Sequence, residues 1–174
     1  MRMRSAADMP ERASLRDRSA SSHHSRRRRA RVRPPGRWRP IRVVLAESNP
    51  DVRRHMRALL DGAGRGDFEV VAEAASTESA RRFAHAHRPC VLVLDLGLPG
   101  GSSLDAIPVI RGESPQTHIV ALVTPRQGAS VCDALRAGAT GYVLEECAHE
   151  ALADAVRCAA AGHGYLTPFS GAHA

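Results

Sequence analysis

The sequence contains no lysine, and all 25 of its basic residues are arginine. Chemistry that depends on a lysine ammonium group is therefore excluded. The four cysteines (Cys90, Cys132, Cys147 and Cys158) form no CxxC pair and no cluster with histidine at metal-binding spacing. Cys90 and Cys132 lie at apolar positions of the pattern, so we expect them to be buried like small hydrophobic residues. We expect all four to be reduced thiols in a cytosolic protein.

Long hydrophobic runs are also absent. No apolar run approaches the roughly 18 residues that a membrane-spanning helix needs, and the N-terminus has no apolar core of a signal peptide. The chain shows no nucleophile–base pair and no glycine-rich phosphate loop, so catalysis on a small molecule has little support. We therefore expect a cytoplasmic protein that is not an enzyme and has no membrane partner.

Positive charge is concentrated at the N-terminus. Residues 1–40 carry 13 arginines against three acids, a net charge of +10, whereas residues 41–174 carry 12 arginines against 15 acids, a net charge of −3. Because residues 1–40 are rich in Arg, Ser and Pro and poor in aliphatic side chains, we predict that they form a disordered tail. Three interpretations of this tail stay open: an arm that binds nucleic acid, a solvated tail without a role, or sequence upstream of the true start codon. Its composition also weakly resembles an organelle transit peptide.

From Ile41 onward, short β-branched runs alternate with helical patterns. Strands are predicted at 41–46, 68–72, 91–94, 118–124 and 140–144, and helices at 50–61, 77–87, 104–110, 129–136 and 148–161. Pro108 disturbs the middle of the third helix. This alternation predicts a doubly wound five-stranded parallel α/β sheet with helices on both faces.

The third strand is the centre of the pattern. The apolar residues Val91 to Leu94 predict a strand buried on both faces, and Asp95 ends it before a loop rich in Gly and Pro. Ligands of open α/β sheets gather at the carboxyl ends of strands, although an Asp at this position could also merely end the strand. Because the first and third strands are neighbours in this architecture, we expect Glu47, Ser48 and Asp95 to converge, with the Glu47 and Asp95 carboxylates in one exposed crevice.

Several of these segments together resemble the receiver domain of bacterial two-component response regulators, in the subfamily usually followed by a helix-turn-helix output domain. The matching segments are IRVVLAESNPDVRRHMRALL, FEVVAEA, VLVLDLGLPGGSSLDAI, ALRAGATGYVLEE and AGHGYLTP. They place a receiver domain at residues 41–168 and leave 169–174 as a C-terminal tail too short for a DNA-binding domain. The resemblance implies a flavodoxin-like sheet with strand order 2-1-3-4-5.

The resemblance also assigns roles to single residues. In the family, the Asp that ends the third strand accepts a phosphoryl group from a histidine kinase, and Asp95 falls on this position. The family's Mg²⁺ ligands fall on Glu47, Asp95 and the carbonyl of Gly97, but the second acid of the first strand is replaced by the neutral Ser48. The family's lysine falls on Glu145, whose carboxylate repels both Asp95 and a phosphate. We therefore expect weak or absent Mg²⁺ binding and slow or undetectable phosphorylation.

Two further positions belong to the conformational switch of the family. Thr124 supplies the switch hydroxyl if the connection between the fourth and fifth strands is one residue shorter than usual. The other alignment puts Val123 there and leaves no hydroxyl. Tyr142 matches the aromatic residue that commonly rotates with the switch, but an ordinary half-buried strand tyrosine fits the pattern equally well.

Two functions follow from these observations. The first is a degenerate receiver that binds a histidine kinase, another signalling protein or a second copy of itself through its last two helices and fifth strand. The second is a nucleic-acid-binding regulator that uses the Arg-rich tail, the only segment expected to contact nucleic acid.

Overall fold

The computed structural model describes residues 39–64, 66–124 and 131–167. The strands are β1 (Ile41–Ala46), β2 (Phe68–Ala74), β3 (Val91–Asp95), β4 (His118–Val123), β5 (Gly141–Leu144) and β6 (Tyr165–Leu166). The helices are α1 (Pro50–Gly62), α2 (Thr77–His87), α3 (Ser103–Glu113), α4 (Val131–Ala137) and α5 (Ala148–Ala160), and one 3-10 turn covers Glu145–Cys147. The predicted tails lie outside the described residues apart from Arg39 and Pro40, as do Pro168 and the first two residues of the predicted fourth helix.

The strands form one parallel sheet in the order β2-β1-β3-β4-β5-β6. The predicted doubly wound α/β fold and its order 2-1-3-4-5 are confirmed. The sixth strand was not predicted, because two residues are too few to give a recognisable alternation. It pairs Tyr165 with Gly141 and Leu166 with Tyr142, and so lies along the outer edge of β5.

Two apolar layers cover the two faces of the sheet. On one face, Val91 and Val93 of β3 pack in a cluster with buried residues of α1 and α5. On the other, Leu92 and Leu94 pack in a cluster with buried residues of α2, α3 and α4. Because successive strand residues point to opposite faces, a strand buried on both sides must be apolar throughout, which explains the continuous run in β3.

Local sequence signals set where the first two helices begin. The Asn49 side chain accepts a hydrogen bond from the backbone N–H of Asp51 at 2.9 Å, and Pro50 occupies the first turn of α1, as predicted. Ser76 caps α2 in a reciprocal capping box with Ser79. Both helices therefore start immediately after strands whose carboxyl ends face the candidate site.

Helix α3 is longer than predicted and runs through Pro108 without ending there. A proline inside a helix removes one backbone hydrogen bond and costs about 3 kcal/mol. Pro108 lies on the exposed face of the helix. Ile107 and Ile110 lie on its buried face, and Ser102 caps its start. We attribute the persistence of the helix to this burial and capping.

The expectation that Cys90 and Cys132 are buried is wrong, because both are exposed. Cys90 precedes β3 and joins the sheet through its backbone, donating to the Arg42 carbonyl at 2.9 Å and accepting from the His118 N–H at 2.9 Å. On the short helix α4, the buried position is taken by Ala134. All four cysteines are free, and no described helix is both long and apolar enough to cross a bilayer.

Candidate functional site

Glu47 follows β1 directly and is held by the backbone on both sides. Its N–H donates to the Ala74 carbonyl at 3.0 Å, and its Oε1 accepts from the N–H of Asn49 at 2.7 Å. The pairing of Ala46 with Leu94 puts the carboxyl ends of β1 and β3 side by side. Glu47 therefore lies next to the end of β3, as the sequence predicted.

Asp95 is the last residue of β3, and it pairs with Leu122 of β4. Its Oδ1 accepts a hydrogen bond from the N–H of Gly97 at 2.9 Å, which folds the chain back over the end of the strand. The expectation of an exposed crevice is wrong, since Glu47 and Asp95 are only 6% and 5% exposed. Each of the two residues is buried, and one oxygen of each carboxylate accepts a backbone N–H.

The buried hydroxyl groups of Thr77 and Ser103 lie against the loop that follows Asp95. Thr77 Oγ1 donates to the carbonyl of Gly101 at 3.2 Å and lies 3.1 Å from Ser103 Oγ, while the Thr77 N–H donates to the Pro99 carbonyl at 2.9 Å. Gly101 has a φ of 117°, which an L side chain rarely adopts. Sequence reasoning missed Thr77 and Ser103, because isolated hydroxyl residues carry no pattern that separates a buried pair from surface positions.

Thr124 and Glu145 meet just beyond the ends of β4 and β5. The last registered pair of these strands is Val123 with Leu144, so Thr124 and Glu145 are the next residues of each chain segment. Thr124 Oγ1 donates to Glu145 Oε2 at 2.6 Å. Val123 is 4% exposed and Thr124 is half-buried. Which of these two residues occupies the switch position stays a prediction.

Burial raises the pKa of Glu47 above its ordinary value, and this is the largest effect on it. The hydrogen bond from Asn49 opposes the rise in pKa, repulsion from Asp95 and Glu145 adds to it, and the Ser48 side chain partly offsets it. The carboxylates of Asp95 and Glu145 are therefore close enough to Glu47 to contribute to its raised pKa.

Arg53 contacts this part of the chain, and sequence reasoning missed it. Its Nη1 donates to the backbone carbonyl of Glu47 at 2.5 Å, and its Nε donates to Glu73 Oε2 at 3.1 Å. The guanidinium thus holds the backbone after β1 and pairs with an acid of β2. Arg53 contacts Glu47 at its backbone carbonyl, whereas the Glu47 carboxylate accepts the N–H of Asn49.

A bound divalent cation would draw on the same residues. Among the described residues, no group of three or more His, Cys, Asp or Glu side chains is arranged to hold a metal ion. Ser48 is exposed and neutral at the position of the second acid, and the Glu145 carboxylate accepts the Thr124 hydroxyl. The donor set thus offers two buried carboxylates, of Glu47 and Asp95, each already accepting a backbone N–H.

Tyr142 lies on β5 with 8% of its surface exposed. Its hydroxyl donates to the carbonyl of Thr167 at 2.8 Å, and Thr167 Oγ1 donates to the Tyr142 carbonyl at 3.2 Å. The tyrosine is therefore more buried than the half-buried strand residue that the alternative interpretation described.

The sequence profile of the response regulator receiver domain matches residues 43–157. The chain belongs to this family. YxjL of Bacillus subtilis, an uncharacterized transcriptional regulatory protein, is 35% identical over 122 residues, which cover 70% of this chain and 55% of the relative. The DNA-binding transcriptional activator DevR/DosR of Mycobacterium tuberculosis is 33% identical over 126 residues, covering 72% and 57%.

Solved structures agree with this assignment. A two-component response regulator of the LuxR family from Aurantimonas superposes with a TM-score of 0.65 at 31% identity, covering 72% of this chain and 89% of that one. The chain spans little more than half the length of the two curated relatives. As a receiver domain it belongs to two-component signalling, in which response regulators interact with histidine kinases and receivers generally use Mg²⁺ for phosphorylation.

Proposed function

We propose that this receiver domain has lost most of its phosphorylation chemistry and signals by binding other proteins. The observation that carries the proposal is the 2.6 Å hydrogen bond from Thr124 to Glu145. The resemblance gives Thr124 the role of the switch hydroxyl and puts Glu145 at the position of the family's lysine. The group expected to bind a phosphoryl oxygen is thus already bound to a carboxylate of the same chain.

Electrostatics at Glu145 opposes phosphorylation of Asp95. Phosphoryl transfer depends on positive charge that neutralises the charge developing on the phosphate. At about 4 Å and a water-like dielectric, replacing one attractive unit charge by a repulsive one costs roughly 2 kcal/mol. Since 1.4 kcal/mol corresponds to a factor of ten, this single change supports at least a tenfold loss of rate.

Mg²⁺ binding is weak in this proposal. Mg²⁺ is usually held by carboxylates and demands near-ideal octahedral geometry. Glu47, Asp95 and the Gly97 carbonyl would be its protein ligands, and Ser48 adds no charge where the family has an acid. The raised pKa of Glu47 points the same way, because burial already disfavours its charged form.

The partner surface consists of α4, β5 and α5 in this proposal, with a signalling protein or a second copy of the chain as the partner. The outer edge of β5 is covered by β6 over Gly141 and Tyr142. We therefore expect side chains of α4 and α5, rather than the backbone edge of β5, to make the contact.

The test is intact-mass analysis after incubation with a small-molecule phosphodonor and Mg²⁺. We expect little or no added phosphoryl mass on the unmodified protein, and none on the Asp95→Asn variant. Rapid Mg²⁺-dependent labelling that disappears in Asp95→Asn would contradict the proposal, because Asp95 would then be a working phosphoacceptor.

The second candidate function is nucleic-acid binding through residues 1–40. It is supported by the net charge of +10 on this segment and by relatives named as transcriptional regulators. Binding to duplex DNA that falls steeply with salt and disappears when residues 1–40 are deleted would favour it. Binding that survives the deletion would show that residues 1–40 are not the DNA-binding segment.

A further inference from the structure

The sixth strand has one residue in apolar contact with the core, Tyr165, which packs against the cluster of α1 and α5. It consists of Tyr165, which is half-buried, and Leu166, which is 58% exposed. A two-residue strand with one side chain in solvent gains little from the hydrophobic effect, which scales with the apolar area removed from water. Other interactions must therefore account for its position.

Backbone contact with β5 is unusually close at one residue. A Cβ atom built at Gly141 would lie 2.5 Å from the carbonyl oxygen of Tyr165 and 2.9 Å from its nitrogen. Only glycine lets the two backbones approach to this distance. Gly141 thus makes room for β6, and its backbone pairs with that of Tyr165.

Tyr142 and Thr167 join the two segments by reciprocal hydrogen bonds. The Tyr142 hydroxyl donates to the Thr167 carbonyl at 2.8 Å, and the Thr167 hydroxyl donates to the Tyr142 carbonyl at 3.2 Å. Both residues are buried, at 8% and 4% exposure. Hydrogen bonds between buried groups cost the most to break, because an unpaired polar group is then left away from water.

The Tyr142 ring belongs to the core on the α2, α3 and α4 side of the sheet, in one cluster with Ala134 of α4 and with Ala139. The ring thus shares a core cluster with α4, while its hydroxyl reaches the residue that follows β6. A single side chain links the helix layer to the segment that covers the edge of β5.

We propose that residues 165–167 form a releasable strap over the outer edge of β5, with the Tyr142 side chain as its latch. Release uncovers the backbone N–H and C=O groups of β5, an edge that can pair with another chain. The strap keeps that edge closed while Tyr142 holds Thr167. The inference does not depend on phosphorylation of Asp95 and stands whichever way the labelling experiment ends.

The chain offers a matched pair of variants for the test, since it contains only two tyrosines. Tyr142→Phe removes the latch hydroxyl, whereas Tyr165→Phe removes a hydroxyl that makes no hydrogen bond with any described residue. Amide hydrogen exchange of the full chain is followed in peptides that cover 163–167 and, as an internal reference, β3. Loss of one hydrogen bond should speed exchange at 163–167 by about 2-fold to about 13-fold, as local opening becomes easier.

In the unmodified protein we expect 163–167 to exchange faster than β3, because the strap opens while the core stays folded. We expect still faster exchange of 163–167 in Tyr142→Phe and unchanged exchange of 163–167 in Tyr165→Phe. Thr167→Val, which removes the second hydrogen bond and keeps the side-chain shape, should also speed exchange at 163–167. The proposal is overturned if Tyr142→Phe matches Tyr165→Phe, or if 163–167 of the unmodified protein exchanges as slowly as β3. The second result would mean that the strap opens only when the whole domain unfolds.

Discussion

The interior of the sheet and its carboxyl edge differ sharply in composition. In the interior, β1, β3, β4 and β5 present fully buried apolar residues to both helix layers. At the edge, Glu47, Asp95 and Glu145 bring together three carboxylates, where the family combines acids with a lysine. In the proposed function, the interior keeps what the fold needs and the charge of the edge differs from that of the family.

This difference shows that the fold and the chemistry depend on different properties of the sequence. The fold needs apolar side chains of suitable volume, alternation of strands and helices, and a few caps and glycines. Phosphoryl transfer needs particular charges at particular positions. Changes at Ser48 and Glu145 can therefore remove the chemistry while the sheet persists.

A cavity in the interior of the sheet should cause the largest loss of folding stability. Leu94 of β3 is fully buried beside the site, and Leu94→Ala should lower the free energy of unfolding by about 2–5 kcal/mol through lost burial and a cavity. Leu166→Ala, at a 58% exposed position, is the matched control and should change it by less than about 0.5 kcal/mol. Urea denaturation measures both, and equal effects would contradict the assignment of the core.

The next largest loss of stability is expected from a substitution at the outer edge of β5. Gly141→Ala places a Cβ 2.5 Å from the Tyr165 carbonyl oxygen, so it should cost about 1–3 kcal/mol or displace β6. At Gly112 in α3, an added Cβ meets nothing within 4 Å, and Gly112→Ala should stabilise by about 0.5–1 kcal/mol. Melting temperatures moving in the same direction would show that the close approach of β6 is not a constraint.

Replacing Glu47 at the carboxyl edge and Glu73 at the outer surface compares how a negative charge affects stability at the two places. Arg57 and then Arg53 lower the pKa of Glu73 by hydrogen bonding, so Glu73→Gln should destabilise at pH 7 by at most about 1 kcal/mol. Burial and nearby carboxylates raise the pKa of Glu47, so Glu47→Gln should stabilise at pH 7, since Gln can still accept the Asn49 N–H. Urea titrations in chelator-containing buffer measure both.

The pH dependence of these two variants should differ in a defined way. Glu73 stabilises the folded state above its ordinary pKa of 4.5, and this contribution is lost as pH falls through its lowered folded pKa. Glu47 destabilises at neutral pH, and its penalty disappears as pH falls through its raised folded pKa toward 4.5. If Glu47→Gln is destabilising at pH 7, the three carboxylates do not repel as described.

Much of the fold could be predicted because its signals are local. Asn49 with Pro50 marked the start of α1, and Val91 to Leu94 marked the central strand. The sixth strand escaped prediction because two residues give no alternation and its pairing with β5 is a tertiary contact. Likewise, the length of α3 depends on burial of Ile107 and Ile110, which outweighs the local effect of Pro108.

The candidate site was predicted only in outline. The sequence placed Glu47 beside Asp95, because adjacent parallel strands end at the same edge. It could not show that both carboxylates are buried or that Arg53 holds the carbonyl of Glu47. Nor could it show the hydrogen bond between Thr124 and Glu145, since such contacts depend on side-chain conformations that no spacing reports.

Restoring the family's charges at the edge tests the central claim most directly. Ser48→Asp with Glu145→Lys, incubated with a small-molecule phosphodonor and Mg²⁺, should gain phosphoryl mass at least about tenfold faster than the unmodified protein. The added Asp95→Asn change should abolish the gain. Ser48→Asp with Glu146→Lys makes the same change in net charge one residue away and should restore much less. If the unmodified protein is labelled as fast as the Ser48→Asp/Glu145→Lys variant, the charge change at the edge does not limit the chemistry and the account is wrong.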